Sequence, residues 1–316
     1  MKKLICILFA FISGVAALSA QGKLKIQNLS SSYETTYGSC SISIAYPISE
    51  NPVFNKAINN QILEFLRDLG DKSEELDRKA EKVKDASSMN MFIKDVAKIV
   101  GTRVSDEWEE TVKDLEEDDY LRTVKCEHDL DFRLITDKLH YACFNVVDFY
   151  YGGGAHGFTN FLPIIVRKSD GKAIREVFRK DKVGQFRDYL KTNMYKDDFG
   201  GLQLTDIEKD DLKGKAEIAS ALRAYDSFSE PDLAWIDGDD VYIQYQQYEI
   251  LPYAYGAPEI VVPVRIAMPY LTDEVKNLLN VSKIGSKKKI SRRGKAGIRR
   301  GSKVVRKKGT NRRMHK

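Results

Sequence analysis

The sequence predicts an α+β fold: an antiparallel sheet with packed helices and a disordered basic C-terminal tail. Three observations carry this. Segments of period two and segments of period 3.6 come in blocks rather than in strict alternation, which opposes a doubly wound parallel sheet. The 316 residues are 42% hydrophobic and 31% charged, enough for a real core in one large domain or two small ones. Beyond Asn280 the apolar pattern stops and Lys, Arg, Gly and Ser dominate, a composition that cannot bury a core.

The elements follow in order. Met1 to Ala20 reads as an export signal, to be cleaved after Ala20: Lys2 and Lys3, an apolar run from Leu4 to Leu18, then Ser19-Ala20. That run falls short of a membrane span, and no other long apolar run exists, so a multi-spanning protein is excluded. Residues 21–38 are polar and Ser/Thr-rich, with a short alternation at Leu24–Ile26. Cys40, Ile42, Ile44 and Tyr46 alternate with smaller residues and predict a half-buried strand. Asn51 as cap, Pro52 at the first helical position and Gly70 as stop frame a helix with Phe54, Ile58, Ile62, Phe65, Leu66 and Leu69 on one face. A second helical stretch is expected over 71–100, with Leu76, Val83, Met91, Ile93 and Val96 inward, and a third over 104–115.

From there the period changes to two. Leu121–Cys126, Leu130–Ile135, Leu139–Tyr151 and Phe158–Lys168 read as successive strands, with turns at Asp137-Lys138 and Ser169-Asp170-Gly171-Lys172. Val183–Tyr195 reads as a helix, and 197–230 as polar with short helices. Leu233–Ile236 and Val241–Tyr248 form a hairpin around Asp237-Gly238-Asp239-Asp240. Glu259–Ala267 is a last strand and Tyr270–Leu279 a last helix.

Charge is divided unevenly. Ser282 to Lys316 holds 16 Lys and Arg and no acid, and residues 1–20 hold two lysines. Residues 21–281 therefore carry 33 bases against 46 acids, a net of −13. An acidic body suits a cationic partner through steering, and the basic tail suits an anionic surface such as lipopolysaccharide. Export makes nucleic acid an unexpected partner. Cys40, Cys126 and Cys143 remain after signal removal, an odd number, and buried free thiols are the expected state.

Enzyme templates are missing. The sequence has no G-x-S-x-G, H-E-x-x-H or Walker pattern, and none of His128, His140, His156 and His315 pairs at metal-ligand spacing. No metal, no cofactor and no catalysis are expected. Two segments remain as candidate sites. Tyr150-Tyr151-Gly152-Gly153-Gly154-Ala155-His156-Gly157 combines glycine freedom with accessible backbone N–H groups and a histidine. Tyr242 to Tyr255 offers a sugar-stacking or protein-binding surface. A strained strand connection and ordinary aromatic packing explain the same residues. The candidate ligand-binding set is Tyr151, Gly153, Gly154, His156, Tyr248, Glu249, Tyr253 and Tyr255.

Tyr151 to His156, the turn Asp170-Gly171-Lys172 and Tyr248 to Gly256, in that order, resemble the RsiV-like C-terminal family over about 140–280. Residues 21–139, with Tyr46-Pro47 and Asn51 leading into the first helix, resemble the companion domain that precedes it. The resemblance implies an exported domain similar to the outer part of a lysozyme-sensing anti-sigma factor and to a non-catalytic part of some peptidoglycan deacetylases. The motifs are specific for the family and not for an activity. With neither the anti-sigma segment nor the deacetylase domain visible, the expectation is a non-catalytic cell-envelope module binding a lysozyme-like protein or cell-wall glycan. The alternatives are an enzyme on cell-wall glycan, a hydrolase or of deacetylase type, using His156 with Glu249 as partner, and a protein tethered by its basic tail.

Overall fold

The computed structural model describes residues 22–116, 119–193, 201–203, 228–251, 253 and 256–279. Within them the fold is α+β. A six-stranded sheet has the order β1 (Lys25–Glu34), β2 (Gly38–Ile48), β3 (Cys126–Asp137), β4 (Tyr141–Tyr151), β5 (Phe158–Arg167), β6 (Ala173–Ile174). A four-stranded sheet has the order β7 (Gly201–Gln203), β10 (Glu259–Pro263), β9 (Asp240–Gln244), β8 (Leu233–Asp237). Pairing is antiparallel except between β2 and β3. Those two are parallel because the whole helical block lies between them in the chain, so β3 enters the sheet from the same end as β2.

The block contains α1 (Pro52–Leu69), α2 (Glu74–Ala80) and α3 (Ala86–Val112). Asn51 caps α1 by accepting the Val53 N–H, and Pro52 opens it as expected. The stretch expected to be one helix over 71–100 is broken. Asp71 and Lys72 take positive φ after α1, Ser73 caps α2, and a capping box of Asp85 and Ser88 nucleates α3 afresh. The separate helix expected at 104–115 is the continuation of α3 through Gly101. That glycine does not stop the helix; it lets α3 approach the sheet. A Cβ on Gly38 in β2 would stand 2.5 Å from the Ser105 amide nitrogen and 2.7 Å from the Gly101 carbonyl. Met91, expected inward, is 61% exposed, and Met89 takes the core position.

Other differences are local. The polar segment 25–34 is a ten-residue edge strand. Residues expected as a strand at 121–126 form a 3-10 turn over Tyr120–Thr123, capped by Asp119, whose Leu121 carbonyl accepts the Trp108 indole N–H at 3.2 Å. The hairpin strand expected to reach Tyr248 ends at Gln244. The strand expected to reach Ala267 ends at Pro263, where α5 (Val264–Ala267) begins. The helix expected over Val183–Tyr195 is α4 (Val183–Asn193), and the rest lies outside the described residues. So does most of 197–230, of which 201–203 is strand. A final helix, α6, covers 273–279.

Two apolar clusters flank β4. Its side chains alternate between the two faces of the sheet. Ala142, Phe144 and Val146 join the core under α1 and α3, while Tyr141 and Cys143 join a second core with Trp235, Ile236, Phe186 and Leu271. The second sheet thus covers the far face of the first sheet at its β4–β5–β6 corner. Thr136 Oγ1 to Asp237 at 2.9 Å and Lys138 to Asp237 at 2.6 Å lock that corner. Strands β3 and β4 pair across the boundary expected at 139/140. Cys40, Cys126 and Cys143 are free and buried, and burial pushes the Cys40 and Cys143 thiols up to about 12.

Candidate functional site

The glycine hairpin between β4 and β5 carries half of the site. Gly153 has φ of +79°, open to glycine and strained for other residues, and a Cβ there would stand 2.4 Å from the Trp108 ring. Gly154 has nothing within 4 Å of its Cβ position. The hairpin therefore rests on α3 through one glycine and projects through the next. His156 stands exposed at its tip.

The segment after β9 carries the other half. It runs beside β5 without continuing the ladder. Glutamine side chains take the place of a strand: Gln246 accepts the Phe161 N–H at 2.9 Å and donates to the Phe161 carbonyl at 2.6 Å. Gln247 accepts the Thr159 N–H at 2.9 Å. A turn follows in which Tyr248 takes a φ of 66°, an uncommon conformation for a bulky residue. Glu249 holds this turn: one carboxylate oxygen accepts the Gln246 N–H at 2.7 Å, the other the Ser229 hydroxyl at 2.6 Å.

Together these segments assemble three of the predicted residues. The His156 ring stacks on Tyr253 at 3.8 Å between centroids and 19° between planes. The Tyr248 hydroxyl lies 3.1 Å from His156 Nε2, and His156 Nδ1 lies 3.1 Å from the Gly157 carbonyl. The carbonyl can only accept, so Nδ1 carries the proton and Nε2 accepts from Tyr248. Both ring nitrogens are occupied. Each oxygen of Glu249 accepts one hydrogen bond, from the Gln246 N–H or the Ser229 hydroxyl, so its carboxylate anchors the turn. Tyr151 packs against the α3 core instead of joining the cluster. Tyr255 lies outside the described residues. Tyr150 at 41% and Phe158 at 38% exposure pair at the base of the hairpin, with the Tyr150 ring edge-on to His128.

A second polar cluster escaped the sequence reading. His128 Nε2 lies 2.9 Å from Asp148, and Arg103 approaches its Nδ1 at 3.4 Å while pairing with Asp71. Arginine only donates, so Nε2–H donates to Asp148. The cluster clamps α3 to the sheet. Its members lie on α3, β3, β4 and the turn after α1, and no local spacing unites them. Among the described residues no group of three or more His, Cys, Asp or Glu could hold a metal, and no helix is long and apolar enough to cross a membrane.

No curated protein matches the chain significantly. Among solved structures, a member of the DUF3298 family from Bacteroides fragilis aligns over 80% of this chain and 96% of its own, at 15% identity and a TM-score of 0.58, which shows a shared fold. A DUF3298 family protein from Pseudomonas aeruginosa aligns over 81% of this chain and 98% of its own, at 13% identity and a TM-score of 0.48. The sequence itself matches the family DUF3298, described as a protein of unknown function, over residues 175–265, the stretch from just after β6 into α5.

Proposed function

We propose that the chain is an exported, non-catalytic cell-envelope module, and that the exposed His156–Tyr248–Tyr253 cluster is its recognition surface. One observation carries this reading. The aromatic cluster is solvent-facing and held in shape, with both His156 ring nitrogens and the Glu249 carboxylate hydrogen-bonded within the chain. A strained, exposed tyrosine supports it, since strain is retained where a function uses it. Tyrosine supplies apolar area and a polar tip at low entropic cost, which suits a protein surface. The partner we assign is a lysozyme-like cationic protein, drawn by the acidic body and by the resemblance to the RsiV-like family.

Calorimetry with a lysozyme tests this. Full-length mature protein should bind, and Tyr248→Ala or Tyr253→Ala should weaken binding at least tenfold, about 1.4 kcal/mol. Absence of binding, or equal binding by the variants, overturns the assignment. Glycan cleavage by the wild type that disappears in a folded His156→Ala variant overturns the non-catalytic reading.

A further inference from the structure

Among the described residues the far face of the first sheet is covered only at its β4–β5–β6 corner. Over β1 to β4 the described residues leave a concave groove of about 590 Å³. It crosses four strands, roughly 14 Å at the usual strand spacing. Its chemistry is graded. Ser30, Ser32, Ser41 and Ser43 form an exposed hydroxyl field on β1 and β2. Asp129, Asp131 and Arg133 follow on β3, and half-buried Val147 and Phe149 follow on β4.

Asp131 and Arg133 pair, and Asp129 leaves the groove a net charge of −1. Arg133 Nε donates to Asp131 at 2.5 Å, and Asp129 Oδ1 accepts the Ser41 N–H at 2.8 Å. A strongly cationic or anionic occupant gains little from such a surface. What remains is a set of hydroxyls able both to donate and to accept, spare carboxylate lone pairs, and an apolar strip. An uncharged oligosaccharide has the matching features: hydroxyl groups around the ring edges and an apolar ring face. The volume lies within the range of small-ligand sites.

From this we infer that the β1–β4 groove is a binding site for an uncharged oligosaccharide, with its ring edges on the serine field and a sugar face on Phe149. The site shares no residue with the His156 cluster and does not rest on that reading.

The test uses the full mature chain and four probes: chitotetraose, cellotetraose, polylysine and heparin. Calorimetry should detect at least one neutral tetrasaccharide. The double variant Ser30→Val/Ser43→Val removes hydroxyls while keeping strand-favouring side chains. It should weaken that binding about tenfold with an unchanged melting temperature. Asp131→Asn keeps an acceptor and should retain binding within about threefold. If neither neutral sugar binds at about 1 mM, the inference is overturned. Undiminished sugar binding by the folded double variant overturns it too. Polylysine binding that is lost in Asp131→Asn would make the groove a cation site and overturn it as well.

Discussion

Gly153 holds the glycine hairpin through two independent constraints, its positive φ and the Trp108 ring beneath it. Gly153→Val should cost about 2 kcal/mol or more in urea unfolding, whereas Gly154→Ala, with open space at its Cβ, should stay within about 0.5 kcal/mol. Equal losses at both sites would show that the loop tolerates no side chain for another reason. Glu259 makes a second prediction. Burial pushes its carboxyl up to about 7 from the ordinary carboxylate value. With the folded pKa above the unfolded one, its contribution is fully present below pH 4.5 and is lost as pH rises toward 7. Glu259→Gln should therefore raise the melting temperature at pH 8 relative to wild type and raise it less, or not at all, at pH 4.5. A larger gain at pH 4.5 would mean that a partner stabilises the ionised form. The residues of the site were legible in the sequence as types: glycine freedom, one histidine, clustered tyrosines. Their roles were not. Glu249 was expected in the ligand-binding set, or as the partner of His156 in the enzyme alternative, and only the structure shows it anchoring a turn through Ser229 and Gln246.

The segment from Tyr245 to Tyr248 looks like strand in the sequence and behaves as a turn clipped to a strand by side chains. Each glutamine side chain offers the same donor and acceptor as a peptide group, so Gln246 and Gln247 satisfy the β5 edge while the backbone is released to place Tyr248. Gln246→Ala should strand the Phe161 N–H and carbonyl. Amide exchange at Phe161 should rise, and stability should fall by about 1–3 kcal/mol. Unchanged exchange would show that water or another group replaces the clip. Elements with strong periodicity and end signals, β2 and α1, were readable from sequence. Strand β1 was not, because its serines lack an apolar alternation; only Leu29 in it is buried. Helix α3 was divided in the sequence reading at Gly101, because a glycine needed for close approach to the sheet carries the same local signal as a glycine that ends a helix.

At the scale of the whole molecule, β4 is the shared wall. One face closes the helical core and the other closes the core of the second sheet, so residues on both sides of the expected 139/140 boundary are built into one sheet. The expected boundary followed the extent of the family resemblance, about 140–280, and the pairing of β3 with β4 over a short turn spans it. The charge division was fully legible, since it depends on counting alone. It leads to a prediction about the expected export signal and tail, which lie outside the described residues. Protein isolated from cells should begin near Gln21. Ser282–Lys316 holds 16 bases and almost no apolar pattern, a composition not expected to bury a core. Deleting Lys283–Lys316 should leave the melting temperature within about 2 °C, a change of less than ~1 kcal/mol for a domain of this size. The same deletion should reduce retention on lipopolysaccharide or anionic vesicles, and full-length retention should fall steeply between low and physiological salt as exposed charges are screened. The body's net charge of −13 opposes such a surface, so the truncated protein should be repelled rather than merely released. If truncation lowers the melting temperature by many degrees, residues beyond 280 belong to the fold. Retention that is unchanged by truncation removes the tether from the account and assigns surface retention to the body alone.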